Sequence, residues 1–380
     1  MDHAITHPAE KTEFKAEVIR ILALHSHPNA ERLDYTYVNG NQVVVRKDDF
    51  KPGDLAVYVP VDAICPTDRA ELAFLGGKRV RAARLRGMYS QGVLVPVSVL
   101  RRPAQPGEDV TQELGITKWL TLSERAEADD TSPRVRKATR SQPHFPMPVY
   151  GLDPLRKYPH VLITGEQVVL TEKIHGSNAR YCFKGGKLYV GSHKVMRGCT
   201  RSRLAEFFDR LQLRVRTLLG QKHRASMEMR IGSVWWEIAE KYDLKSRLSK
   251  MPDLVFYGEI YGEGVQKLPY DTLPGAETRR RFRVFDIFNV RHERYLDFDD
   301  MKAACNELGL ETVPELYRGV WHDGLIEAYS TGKSTLNPHH IREGFVVRPV
   351  TERTDPLIGR VSLKCVGEDY RLWSARHEGD

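Results

Sequence analysis

The chain has little of several things that would narrow its class at once. Its five cysteines (Cys65, Cys182, Cys199, Cys305, Cys365) are scattered and form no C-x-x-C pair. That speaks against a thiolate zinc site and a disulfide framework, and for a reducing compartment. No apolar run approaches the length of a membrane span, so no membrane partner is expected. The opening stretch MDHAITHPAEKTEFK is too polar for a signal peptide, which makes a cytoplasmic location the default. Internal repeats and low-complexity tracts are absent. His25 and His27 in 25-HSHPNAERLD-34 are not followed by a matching ligand pair, so a metal centre there has no second half.

What is present is an ordinary apolar content of 41% over 380 residues, enough for two domains with their own cores. A net charge of +8 adds a moderate basic bias. It fits either a polyanionic partner, whose counterions Lys and Arg would release, or a solvated basic surface.

Residues 14 to about 100 read as short strands. Runs such as 43-VVV-45, 55-LAVYVP-60 and 93-VLVP-96 are separated by 39-NGN-41, 52-PGD-54 and 76-GGK-78, a spacing that suggests a small barrel or sandwich. From 102 to 148 Pro, Asp, Arg and Ser dominate, as in a linker, with a short helix expected near 118–127. Strand-like runs resume with 167-QVVL-170, 179-ARYCF-183, 187-KLYVGS-192, 254-LVFYGEIYG-262, 281-RFRVFDIF-288, 344-GFVVRP-349 and 361-VSLKCV-366. Helices are expected over 202–219, with Ser202 as N-cap, over 299–309, with an acidic start and a glycine stop, and over 322–332. Strands and helices mixed without strict alternation predict an α+β second domain built on antiparallel sheets.

Five segments of that second part put a charged or aromatic residue among glycines or in an apolar strand. They carry Lys173 in 173-KIHGSN-178, Glu259 in 256-FYGEIYGEGVQ-266, Phe285 in 283-RVFDIF-288, Glu343 in 343-EGFVVRP-349 and Lys364 in 361-VSLKCV-366. A buried charge is costly unless paired or bound to a metal. Two acids and two lysines at strand ends therefore either pair with one another or surround a metal and a phosphate. Taken singly each is weak: Phe285 reads as core, and Glu343 beside Arg342 as a surface pair.

In their order, these five segments resemble the motifs of the covalent nucleotidyltransferases, the polynucleotide ligases and mRNA-capping enzymes. The His-Gly after the lysine is similar to the RNA-ligase branch, where DNA ligases typically show Asp-Gly. The stretches 26-SHPNAERLD-34 and 83-ARLRGMYSQGVLVP-96 resemble the OB-fold tRNA-binding module. An OB module ahead of an RNA-ligase domain is similar to the fifth RNA-ligase family, known from Deinococcus and Naegleria, which has no further C-terminal domain. About ten residues follow 361-VSLKCVGEDY-370, which leaves no room for one. The fold expected is therefore α+β: an OB-fold barrel over residues 1–115, a linker over 116–148, and an adenylyltransferase domain of antiparallel sheets flanked by helices over 149–380.

The resemblance also implies a chemistry. Lys173 would attack the α-phosphate of ATP, giving a lysyl-AMP phosphoramidate. Its pKa must then fall from the usual value near ~10.4, with Lys364 and Mg²⁺ (or Mn²⁺) as the cations that could lower it. Phe285 would stack on adenine, and Gly176 and Glu172 would line the nucleotide site. Glu259 would contact the ribose or metal-bound water, Glu343 would help bind the metal, and Lys364 would neutralise the α-phosphate. His175 would position the turn or a phosphate, or simply pack. Arg197 is a candidate phosphate contact, with Lys194 as its competitor and a solvated turn as the plain alternative.

Relatives often carry two lysines two residues apart in the last motif, whereas Ser362 and Val366 flank Lys364 here. Either Lys364 acts alone or another cation, with Arg360 the candidate, takes the second place. The implied partner is RNA with 3′-OH and 5′-phosphate ends, at nicked duplex RNA or an RNA–DNA hybrid, acted on by a monomer. Arg84 and Arg86 are candidate contacts of the OB module, and Tyr35, Tyr58 and Tyr89 candidate base platforms or core. Rival readings are a DNA ligase or capping-type enzyme on the same chemistry, and an RNA-binding protein with a decayed catalytic domain.

Overall fold

The computed structural model describes residues 14–120, 147–199, 234–268, 270 and 280–377. The helix expected over 202–219 and most of the linker lie outside them.

In the N-terminal unit, alternation sets the faces. Along Leu33–Val38 and Asn41–Arg46, Thr36, Val38, Val43 and Val45 are buried, while Tyr37 and Arg46 are exposed. The two strands are joined by Asn39 and Gly40, both at positive φ (49° and 77°), the geometry of a type I′ hairpin turn. Gly40 has a second reason to be glycine: a Cβ there would lie 2.1 Å from the Arg156 carbonyl oxygen, so the turn docks against the C-terminal unit. A second sheet orders Glu17–Arg20, Leu55–Val59 and Val93–Pro96. One apolar cluster gathers Val18, Val57, Val95 and Leu114, and another Ile21, Val43, Phe50 and Tyr58. Thr117–Lys118 pairs with Ala63–Ile64, and Ile116 and Trp119 are buried, so this unit continues past residue 115. The start of the helix expected near 118–127 is thus a strand. Sheet pairing takes up the backbone there.

The C-terminal unit holds two larger sheets. The six-stranded one runs, in order, Met196–Cys199, Lys187–Ser192, Ser177–Lys184, Leu254–Gly262, Arg280–Asn289 and Arg294–Tyr295, all antiparallel. The five-stranded one runs Asp153–Pro154, Leu363–Val366, Gly344–Pro349, Gln167–Glu172 and Glu315–Val320, with one parallel pairing, between Asp153–Pro154 and Leu363–Val366. Helices Val234–Lys241 and Phe298–Leu308 bury Trp235, Ile238, Phe298 and Met301 in the core of the six-stranded sheet. Gly309, in the left-handed region at φ 63°, ends the second of these, as its sequence leads one to expect. Helix Gly324–Ser330 covers the five-stranded sheet through Leu325.

A buried carboxylate ties the two sheets together. Asp286 is fully buried and accepts from Tyr150 Oη (2.8 Å), Arg348 Nη1 (2.9 Å) and Arg360 Nη1 (2.7 Å). Burial opposes its ionisation, but Arg360 and Arg348 outweigh that and hold its carboxyl below the usual 3.8. Breaking a buried pair by neutralising one partner costs about 3–5 kcal/mol. Asp286→Asn should lose stability of that order in urea unfolding at neutral pH. Because the folded pKa is depressed, the contribution is complete above the unfolded value and lost as pH falls through the folded one. The gap between wild type and variant should therefore close below about pH 4.

Candidate active site

The chain leaves the five-stranded sheet at Glu172 and enters the six-stranded one at Ser177. The intervening Lys173–His175–Gly176 turn faces a cleft of about 550 Å³ between the sheets, walled on one side by residues of the N-terminal unit such as Arg79 and Arg81. Gly176 makes this crossing possible, because a Cβ there would stand 2.2 Å from the Ile260 carbonyl oxygen and 2.9 Å from Glu259 Cγ.

Of the residues expected at the nucleotide site, Glu172, Lys173, His175, Gly176, Glu259, Phe285, Glu343 and Lys364 line this cleft. Lys173 Nζ lies 2.7 Å from Glu343 Oε1, and His175 Nδ1 lies 4.0 Å from Glu343 Oε2. His175 is also fixed as a packed residue. Its backbone N–H donates to Tyr270 Oη at 2.9 Å, and its ring meets Tyr370 edge-on at 5.5 Å. Phe285 reaches the cleft through a bulge: Tyr257 pairs with Asp286 and Gly258 with Val284, so Phe285 is the extra residue. Bulges re-aim side chains in this way. Tyr150 backs the Phe285 ring at 4.8 Å.

The electrostatics differ from the expectation that cations lower the Lys173 pKa. Burial does pull it down, but Glu343 and Glu259 together outweigh burial and hold it above its ordinary value. The depressed lysine is Lys364, brought to about 8 by burial and then by the charges of Lys173 and Arg371.

Glu172 lines the cleft, but its carboxylate is taken up by protein partners. Its carboxylate, 2% exposed, accepts from Ser334 Oγ (2.5 Å), Thr335 N (2.8 Å) and Thr335 Oγ1 (2.5 Å). It therefore holds the 334–337 segment against the strand that ends at Lys173. Arg197 does not line the cleft. It is 9% exposed, its guanidinium lies over Trp235 at 4.2 Å, and its carbonyl accepts from Trp236 Nε1. Helix Val234–Lys241 covers the strand that carries it. Lys194 is exposed in the adjoining turn. Arg360, the candidate for the second cation, is spent on Asp286 and Glu352, both at 2.7 Å, and on the Tyr295 ring at 3.6 Å.

Arg371 and Asn178 are among the cleft residues that sequence reading missed. Arg371, on helix Glu368–His377, lines the cleft and has no ion-pair partner among the described residues. It stands seven positions past Lys364, beyond any motif. Asn178 sits in the quoted 173-KIHGSN-178 and lines the cleft with Oδ1 buried and accepting no hydrogen bond among the described residues. In the N-terminal unit Tyr58 and Tyr89 are core and Tyr35 is half-buried. Arg84 lies 3.6 Å from Asp369 and Arg86 is exposed. His27 caps its own turn, through bonds to Asn29 N and the Leu85 carbonyl oxygen, so it is structural.

A model of the RNA ligase family matches residues 166–366, more than half of the chain. The chain belongs to the RNA ligase family. An OB-fold domain model matches residues 15–97, the N-terminal barrel. Among solved structures, a mutant of Naegleria gruberi RNA ligase with ATP and Mn is similar at TM-score 0.68 and 22% identity, over 94% of this chain and 98% of that one. Another mutant of that enzyme, with AMP and Mn, gives 0.70 and 22%, over 95% and 99%. The same enzyme with PPi gives 0.66 and 22%, over 97% and 99%. At this identity the likeness carries the fold: α+β, an OB barrel followed by antiparallel sheets and helices. Comparison with curated proteins gives no significant match. No helix among the described residues is long and apolar enough to cross a membrane.

Losing the Glu172 carboxylate leaves Ser334 and Thr335 without their acceptor, at about 1–3 kcal/mol for a buried unsatisfied donor. Glu172→Ala should therefore raise amide hydrogen exchange across residues 333–341, read by mass spectrometry. Unchanged protection there would remove Glu172 from the positioning role.

Proposed function

We propose that this member of the family is an ATP-dependent RNA ligase that works through a covalent Lys173–AMP adduct. The observation that carries the reading is the Lys173–Glu343 contact of 2.7 Å in a cleft that also presents Phe285, Lys364 and Arg371. An amine, two carboxylates, an aromatic face and two cations are the groups that attack on a nucleoside triphosphate requires. Membership of the RNA ligase family and likeness to an enzyme solved with ATP, AMP and PPi support it.

In the first step the neutral Lys173 amine attacks the α-phosphorus. An Nζ–P bond forms, the bond to the β-phosphate oxygen breaks, pyrophosphate leaves, and the amine proton passes to solvent. Phe285 offers its face to adenine. Lys364 and Arg371 are the cleft cations that would meet negative charge accumulating on the phosphate oxygens, with Arg371 in the second place that Arg360 does not fill. The AMP then moves to an RNA 5′-phosphate, and a 3′-hydroxyl displaces it to close the phosphodiester. Nicked duplex RNA or an RNA–DNA hybrid is the proposed substrate.

The site fits a divalent cation. Glu343 Oε2 is buried and accepts no hydrogen bond among the described residues, and Glu259 also lines the cleft. Carboxylate oxygens suit Mg²⁺ or Mn²⁺, and Mg²⁺ keeps several waters, so two acids suffice. Such a cation would neutralise phosphate charge.

Incubating the protein with α-labelled ATP and Mg²⁺ or Mn²⁺ should give an acid-labile radioactive band on denaturing gels, lost in Lys173→Ala. Absence of the band in the wild type, after pyrophosphate has discharged any bound AMP, would overturn the reading.

Arg371 gives a separate expectation. Arg371→Ala should slow adduct formation about tenfold or more through kcat rather than KM, since it acts on charge that develops in the transition state. Arg371→Lys should recover much of the rate. Equal rates in all three proteins would return Arg371 to a structural role.

A further inference from the structure

Three rings stand together on the outer face of the N-terminal barrel. Tyr35 and Tyr37, two residues apart on Leu33–Val38, project to one side, opposite to the buried Thr36 and Val38. His25 pairs across from Tyr35 and stacks on it, with centroids 5.1 Å apart and planes 29° apart. Tyr37 meets both rings edge-on, at 5.9 Å from Tyr35 and 6.4 Å from His25. Tyr37 is 57% exposed and His25 is exposed. The barrel's core lies on the other side of this sheet and does not account for the cluster.

The rest of this face is mixed and includes one cation. Across the hairpin, Gln42, Val44 and Arg46 pair with Tyr37, Tyr35 and Leu33, which puts a cation and no carboxylate on the same side. Acids flank it, with Asp48 and Asp49 in the following turn and Glu17 at the hairpin turn, where it accepts from Asn39 Nδ2. Gln42 also fixes the cluster: its Oε1 accepts from Tyr37 Oη, while its Nε2 donates to the Tyr89 carbonyl oxygen. A bond network and cross-ring packing thus hold the rings in place before anything binds.

We propose that the His25–Tyr35–Tyr37 face is a stacking platform for the bases of unpaired RNA nucleotides flanking the break. The occupant follows from three features. The chain belongs to an RNA ligase family, it carries a net charge of +8, and an aromatic face beside an arginine is the general recipe for gripping single strands without reading sequence. The platform also connects to the cleft. His27, two residues past His25, bonds the Leu85 carbonyl oxygen on the Ala83–Leu85 hairpin strand. Arg84 of that strand faces Asp369 on the helix that carries Arg371. At a nicked duplex these would be unpaired nucleotides adjoining the paired ends. That placement rests on the ligase reading; the binding itself does not.

The test is fluorescence anisotropy on the full chain without ATP. One probe is a labelled single-stranded RNA of about twelve nucleotides, within the span an OB fold covers. The other is a blunt, fully paired RNA hairpin. Tyr37→Ala and His25→Ala should each weaken single-strand binding by roughly five- to a hundredfold, the range for one stacked base, and change hairpin binding by less than about twofold. Tyr37→Trp should restore single-strand binding, because the role needs a ring and not a hydroxyl. Thermal melting of each variant guards against misfolding. Wild-type affinity in both alanine variants, or an equal loss on both probes, overturns the platform. A protein that forms no Lys173 adduct yet needs these rings to bind RNA would fail the ligase reading and keep this one, and the reverse result would do the opposite.

Discussion

Everything at the cleft depends on one backbone constraint: the chain passes from one sheet to the other within residues 173–176. Strand pairing fixes both ends, Glu172 against Phe345 and Ser177 against Ile260. Only a glycine fits where the turn comes within 2.2 Å of the Ile260 carbonyl oxygen, counted to the Cβ that any other residue would bring. The Lys173 N–H is bound by the Gly344 carbonyl oxygen at 3.0 Å, next to the residue that supplies its carboxylate partner. The amine is thus positioned by two sheets at once. A group on a flexible loop would have more conformational freedom to lose on each encounter with its substrate.

The ion pairs divide into two kinds by depth. Asp286 with Arg348 and Arg360 is dry and fully hydrogen-bonded, and it joins the Arg280–Asn289 strand of one sheet to the Gly344–Pro349 strand of the other. Through Tyr150, which donates to Asp286 and backs Phe285, it also sets the height of the aromatic face in the cleft. The pairs at the junction with the barrel, such as Arg84 with Asp369, are half exposed and contribute little each. Shape does more there: the Asn39-Gly40 turn presses on the Arg156 backbone where no side chain fits. The dry, fully bonded ion pairs are therefore concentrated within the C-terminal unit.

Much of this was legible in sequence because strand periodicity and glycine placement are local signals. Runs such as 254-LVFYGEIYG-262 became strands over the same residues, and the five ordered segments met in one cleft. What escaped was set by packing across distance. Arg197 and Arg360 look alike in sequence as spare cations, yet one lies over Trp235 and the other saturates Asp286. Glu172 reads as a cleft acid, but its partners Ser334 and Thr335 lie over 160 positions away. Arg371 reaches the cleft only because the last strand feeds directly into a helix that folds back over it. Tyr37, passed over in favour of Tyr58 and Tyr89, is the exposed one because a hairpin register decides which tyrosine faces water.

The protein's own charges hold the two cleft lysines differently, and only one of them suits the proposed transfer. Glu343 and Glu259 keep Lys173 protonated, whereas the proposed attacking group must be the free amine. Burial beside Lys173 and Arg371 pulls Lys364 to about 8, which still leaves it largely charged at neutral pH, as a phosphate contact needs. The discrepancy is therefore at Lys173 alone. A triphosphate would not remove it, because its negative charge favours every ammonium nearby. Occupation of the Glu343 oxygens by another cation would, since it takes away the acceptor that holds the proton and puts a like charge beside the amine. On the proposed reading the Lys173–Glu343 pair is a resting arrangement, ended when a cation takes over the carboxylate.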